Sequence, residues 1–225
     1  MKYTTLYFDL DNTLLDFSAA ERDAIKKLLA LFGIEPKDEY VAIYSKTNQK
    51  HWGMFERGEI KREDIFEGRF IEFTDLIGAK VDTAKMSRDY FSLLAEGHAC
   101  LPGAAEVLEY VKQKGYTVCV TTNGVSRTQR KRIAESGLGK YFDFVFISED
   151  TGHKKPEKEY FDYVIERTPE KDRKKILVIG DSQSSDISGG INAGLDTCWL
   201  TAKNESAAYE PTYRIGDISD LVGIL

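Results

Sequence analysis

The sequence predicts an α/β protein, a doubly wound parallel sheet interrupted once by an inserted α-helical domain. Three observations carry this. First, short apolar runs of strand length alternate with helix-period segments: TVCVTT at 117–122, FDFVFIS at 142–148, KILVIGD at 175–181 and DTCWL at 196–200. Strands alternating with helices imply a parallel sheet covered on both faces. Second, one more strand-like run, residues 6–8 with Thr4 and Thr5 before it, stands at the start of the chain. Third, residues 16–96 separate that run from the others with a helical pattern poor in β-branched stretches. The economical arrangement is a discontinuous core of residues 1–15 and 97–225 with a helical insert of residues 16–96.

The elements follow in order. After the first strand, residues 18–32 carry Ile25, Leu28, Leu29 and Phe32 at helical spacing, and Gly33 is a C-terminal stop. Arg69, Phe70, Ile71 and Phe73 continue one amphipathic helix of the insert, and Tyr90, Phe91, Leu93 and Leu94 mark another. Beyond Leu101-Pro102-Gly103, residues 104–114 read as a helix closed by Gly115. Residues 127–136 read as a basic helix ending at Gly137, whose RTQRKR either steers anionic substrates or, the favoured reading, is a solvated face. Pro156 suits the first turn of a helix running to Arg167. A short helix over 186–193 and a short terminal helix after YRIGD complete the pattern.

The chain has 225 residues, 42% hydrophobic and 12% aromatic, which is ample for a core. Its net charge of −6 and the lack of a long basic run exclude the electrostatic footprint of a nucleic-acid binder. Cys119 and Cys198 lie in apolar runs as reduced core thiols, and with Cys100 they form no metal-like pattern. No stretch reaches the roughly 18 apolar residues of a membrane span, and the N-terminus lacks the segments of a secretory signal. A soluble cytoplasmic protein is expected, as a monomer or a dimer.

In open parallel sheets, ligands bind beyond the carboxyl ends of the strands. The first strand ends on Asp9 and Asp11. The second ends on Thr121, Thr122, Asn123 and Gly124. The third is followed by EDTGHKKPE with Lys154 and Lys155, and the fourth by Asp181 and Asp186. Singly, each is an ordinary turn or cap residue. Jointly, at successive strand ends, they form a set suited to phosphoryl transfer. Clustered carboxylates need a cation between them, and Mg²⁺ is hard, takes oxygen ligands and bridges carboxylate to phosphate. One carboxylate attacks phosphorus, and the acid two residues on protonates the leaving alcohol. A lysine and a hydroxyl hold the phosphoryl oxygens.

DLDNT at 9–13, TTNG at 121–124, KP at 155–156 and GDSQSSD at 180–186 resemble, in order and spacing, the four motifs of the haloacid dehalogenase superfamily of phosphatases. The resemblance implies a Rossmann-like core, Asp9 as nucleophile and Asp11 as general acid/base. It implies phosphate contacts from Thr122, Asn123 and Lys155. It also implies a Mg²⁺ site of Asp9, the Asp11 main-chain carbonyl, Asp181 and Asp186, with the helical insert as a cap that selects substrate. Lys155 is chosen over Lys154 because it directly precedes Pro156. Many members have glycine where this chain has Asn12. Dehalogenases of the superfamily lack an acid at the Asp11 position, so Asp11 favours phosphate chemistry.

GDSQSSDISGGINAGLDTCWL, TTNG and HWGMFERGEI most resemble the pyrimidine 5′-nucleotidase branch. The resemblance implies a small phosphorylated metabolite as substrate, a nucleoside monophosphate. Sugar phosphates and phosphoglycolate are the rival substrates. Phe17, His51, Trp52 and Phe55 are candidate contacts to a base, although the same spacing serves to pack a helix. A phospho-signalling receiver module uses similar groups on a doubly wound sheet, but the insert and the GDxxxxD motif speak against it.

Overall fold

The computed structural model describes residues 1–201 and 205–225. Strand β1 (Thr5–Phe8) leads into helices α1 (Phe17–Leu31), α2 (Asp38–Glu56), α3 (Arg62–Ile77) and α4 (Thr83–Leu94). Helix α5 (Ala104–Gln113), strand β2 (Thr117–Thr122), helix α6 (Ser126–Glu135), strand β3 (Phe144–Ile147) and the single turn α7 (Ser148–Thr151) follow. Then come α8 (Lys158–Arg167), β4 (Ile176–Gly180), α9 (Ser188–Asn192), β5 (Asp196–Leu200) and β6 (Tyr213–Ile215). The chain divides into two compact units, Met1–Asp16 with His98–Leu225, and Phe17–Gly97.

The first unit is built on a parallel six-stranded sheet in the order β3-β2-β1-β4-β5-β6. Alternate residues of each strand supply opposite faces. Leu6, Phe8, Val118, Val120, Leu177 and Ile179 pack under Ala104, Val107, Leu108 and Val111 of α5 and Ile133 of α6. On the other face, Tyr7, Cys119, Ile176 and Val178 pack against Tyr160, Phe161, Val164 and Ile165 of α8. Cys119 and Cys198 are buried free thiols. Chain order reverses between β1 and β4, because β2 and β3 lie on one side of β1 and the later strands on the other. This is the crevice where parallel sheets hold ligands.

The second unit is a helical bundle. Ile25, Leu28, Leu29, Tyr44, Phe70, Phe73, Met86 and Tyr90 form its core. Arg69 is buried in it with its guanidinium over the Phe70, Tyr90 and Phe91 rings, donating to Asn48 Oδ1 at 2.6 Å. Asn48 in turn donates to the buried Glu21 carboxylate at 2.7 Å.

Two local expectations are corrected. Pro156 does not sit in the first turn of α8. That helix begins at Lys158 with Glu157 as its extended N-cap, and the Lys155–Pro156 bond is cis. The helix expected over 186–193 is a π turn over Gln183–Ile187 continued by α9. Among the described residues, no helix is long and apolar enough to cross a membrane.

Candidate active site

Asp9 is the first residue past β1, and its N–H donates to the Ile179 carbonyl of β4 at 2.8 Å, so the ladder reaches the carboxylate itself. Lys155 arrives from the loop after β3. Its ammonium donates to Asp9 Oδ1 at 2.6 Å, Asp186 Oδ1 at 2.6 Å and the Thr121 carbonyl at 2.8 Å. Its side chain is 1% exposed, so these bonds act in a poorly solvated place. Lys154 stays outside the cluster, against Glu157.

The Asn123 side chain takes a task that the sequence reading did not assign. Its Oδ1 accepts the Lys155 N–H and its Nδ2 donates to the Lys155 carbonyl, both at 2.9 Å. It thereby holds the main chain from which the ammonium projects, a task besides the expected phosphate contact.

Asp186 is positioned by the π turn. Its Oδ2 accepts the Ser182 N–H at 3.1 Å, leaving Oδ1 to Lys155. Gly180 makes room for it, since a Cβ there would lie 2.2 Å from Asp186 Oδ2. The main chain of Asp181 is pinned by the Trp199 indole, which donates to its carbonyl at 2.8 Å.

One carboxylate oxygen from each of Asp9, Asp181 and Asp186 lies within 4.8 Å of the others. Three acids face one ammonium, so full ionisation leaves excess negative charge in a buried place. Hard oxygen donors with that excess fit a divalent cation such as Mg²⁺. Burial pushes the Asp9 carboxyl up to about 7, with Lys155 opposing and Asp186 and Asp11 adding to the rise. Burial, with Asp9 and Asp186, also raises Asp181 well above its ordinary value, against the pull of Lys155. Burial works against the Lys155 charge, but Asp186 and Asp9 outweigh it and hold its pKa above the ordinary lysine value.

Asn12 adopts φ 56°, the left-handed region. Glycine enters that region freely and asparagine more readily than other residues, which explains how Asn12 substitutes for glycine.

Asp11 and Thr122 meet two residues that the sequence reading left in solvent. Gln129 Nε2 donates to Asp11 Oδ2 at 2.7 Å and to Thr122 Oγ1 at 3.0 Å. Arg132 Nη1 donates to Asp11 Oδ1 and, at 3.0 Å, to Gln129 Oε1. The solvated-face reading of RTQRKR is therefore corrected. Arg127, Arg130 and Lys131 are exposed, whereas Gln129 and Arg132 are buried. Gln129 lies four residues before the buried Ile133, on one helical face with it, but that spacing alone does not tell a buried glutamine from a solvated one.

The four candidate contacts to a base all belong to the helical unit. His51 and Phe55 are buried and serve packing there, His51 donating from Nδ1 to the Thr47 carbonyl at 2.9 Å. Trp52 is half-buried, edge-on to Phe55, and Phe17 is half-buried at the start of α1. Burial within the unit accounts for His51 and Phe55 as packing residues and leaves base contact by any of the four a proposal.

A carboxylate–lysine centre at the switch point of a parallel sheet makes this an α/β enzyme. The haloacid dehalogenase-like hydrolase model matches residues 3–194, and the chain belongs to that family. It is 41% identical to the HAD-hydrolase YfnB of Bacillus subtilis, over 100% of this chain and 96% of that one. It is 35% identical to the pyrimidine 5′-nucleotidase PynA of Streptococcus pneumoniae (100% and 96%) and 32% identical to the pyrimidine 5′-nucleotidase YjjG of Escherichia coli (100% and 99%). The crystal structure of Bacillus subtilis YfnB bound to magnesium superposes with a TM-score of 0.94 at 40% identity, over 100% of this chain and 99% of that one.

Proposed function

We propose that the chain is a Mg²⁺-dependent phosphomonoesterase of nucleoside 5′-monophosphates, pyrimidine nucleotides foremost, working through an aspartyl phosphate on Asp9. The observation that carries this is the Lys155 ammonium, joined to both Asp9 and Asp186 at the sheet's switch point. Two relatives named pyrimidine 5′-nucleotidases, similar along the whole chain, support the substrate class.

An Asp9 oxygen attacks phosphorus, and the bond from phosphorus to the nucleoside 5′ oxygen breaks. Asp11 gives that oxygen its proton, then takes a proton from the water that attacks the aspartyl phosphate. Inorganic phosphate leaves and the Asp9 carboxylate is restored. Asp9, Asp181, Asp186 and the Asp11 carbonyl would hold Mg²⁺, which would supply the positive charge that lets a phosphate approach a carboxylate. An ammonium has three donors, and Lys155 spends its own on Asp9, Asp186 and the Thr121 carbonyl. A phosphoryl oxygen gains a Lys155 bond by displacing one of them. Phosphorylation of Asp9 weakens its hold on the ammonium and makes its donor the one released. The Thr122 hydroxyl holds a second phosphoryl oxygen.

The helical unit Phe17–Gly97 is proposed as the substrate-selecting cap, with Phe17, His51, Trp52 and Phe55 as its candidate contacts to the base. The enzyme works on small phosphorylated metabolites in the cytoplasm. The test is a panel of pyrimidine monophosphates, purine monophosphates, sugar phosphates and phosphoglycolate, with Mg²⁺ and with chelator. Pyrimidine monophosphates turn over fastest and only with metal. Equal rates across the panel would remove the nucleotidase assignment, and hydrolysis unaffected by chelation would remove the metal.

A further inference from the structure

We propose that Gln129 and Arg132 of α6 are positioning residues for this reaction, orienting at once the proton-transferring acid, Asp11, and the phosphate-binding hydroxyl, Thr122. The inference rests on the phosphatase reading above and adds to it two residues outside its four motifs.

The geometry leaves little freedom. Arg132 has no acceptor atoms, so the Gln129 atom facing its Nη1 must be the carbonyl Oε1. That fixes the flip of the amide and turns its NH₂ toward Asp11 and Thr122. One N–H goes to Asp11 Oδ2 at 2.7 Å and the other to Thr122 Oγ1 at 3.0 Å. Thr122 Oγ1 also accepts the Gly124 N–H at 3.2 Å. A hydroxyl has two acceptor positions and one donor, and here both acceptor positions are filled. The Thr122 hydrogen is therefore committed to donating, which is the polarity an anionic phosphoryl oxygen requires.

Asp11 is gripped from both sides, Oδ1 by Arg132 and Oδ2 by Gln129. The Arg132 side chain is 0% exposed, so this contact is little screened. Gly124 keeps Gln129 in place by its lack of a side chain, since a Cβ there would meet Gln129 Nε2 at 2.5 Å and Cγ at 2.7 Å. One amide thus couples the residue that moves protons to the residue that holds phosphate.

The test compares kcat/KM for an alkyl phosphate with that for p-nitrophenyl phosphate. The alkyl ester is the best nucleoside monophosphate, or a sugar phosphate if no nucleotide is turned over. An alkoxide needs its proton on leaving, whereas p-nitrophenolate leaves with little help. A misdirected Asp11 therefore harms the alkyl ester more, and a misdirected Thr122 harms both. Gln129→Met, close in volume, is expected to lower the alkyl value roughly 100-fold and the aryl value roughly 10-fold or less. Gln129→Glu keeps the bond with Arg132 but loses both donors, and it shifts the ratio the same way. Folded Arg132→Met, which removes the hold on Asp11 Oδ1 and on the Gln129 amide, is expected to shift the ratio the same way, and an unchanged ratio there overturns the role given to Arg132. An alkyl-to-aryl ratio unchanged in the folded Gln129 variants, whatever the size of the common loss, overturns the proposal and leaves Gln129 a packing residue. A wild-type chain that hydrolyses neither ester overturns the phosphatase reading instead.

Discussion

Asp9 is set between two demands, burial and reactivity, and its protonation records the compromise. Burial and the neighbouring acids raise its carboxyl to about 7 from an ordinary value of 3.8. The folded chain therefore binds this proton more tightly than the unfolded chain does between those pH values. The favourable contribution is complete below the unfolded value and is lost as pH rises through about 7. In chelator, Asp9→Asn, which cannot ionise, should melt above the wild-type chain at pH 8, with the gap closing toward pH 4. A gap independent of pH would contradict the raised carboxyl. Asp9, Asp11, Asp181 and Asp186 were legible in the sequence because acids at strand ends are conspicuous beside apolar runs. Gln129 and Arg132 were not, because a glutamine and an arginine in a basic helix look like solvated residues. Their polar ends find partners because Asp11, beyond β1, comes within reach of that side of α6.

Elements place these residues through close backbone approaches as much as through side chains. The turn after β4 brings Asp186 back over Gly180, where an added methyl would lie 2.2 Å from one carboxylate oxygen and 2.6 Å from Asp186 Cβ. The second contact is the base of the side chain, so it cannot swing aside. Gly180→Ala should cost about 1–3 kcal/mol by overpacking. It should also lower kcat/KM roughly 10-fold or more by shifting Asp186 away from Lys155. Thermal melts and steady-state kinetics check this, and an alanine variant with wild-type activity would show the approach to be slack. The strands were legible at this scale, since each buried run is short, apolar and bounded by turn residues. The turns were less so. A π turn and a helix starting two residues after Pro156 depend on where Asp186 and Lys155 must point, which local propensity does not encode.

At the scale of the molecule, the chain leaves its sheet after one strand, builds the helical unit Phe17–Gly97, and returns to complete the core. The break in strand rhythm made that arrangement readable. The roles of individual aromatics were not, because helical spacing serves packing and recognition alike. His51 and Phe55 turned inward, while Trp52 kept an exposed face. If the unit selects substrate, Trp52→Ala should raise KM for a nucleotide roughly 10-fold through lost stacking, with p-nitrophenyl phosphate changed by less than about 2-fold. Equal effects on the two esters would remove Trp52 from base recognition. The most direct test of the whole account is to acid-quench the enzyme with Mg²⁺ and its best phosphate ester during turnover and map the covalently bound phosphoryl group by peptide mass. The account predicts the phosphoryl group on Asp9 and no label in Asp9→Asn. Label on another residue, or turnover undiminished in Asp9→Asn, would contradict it.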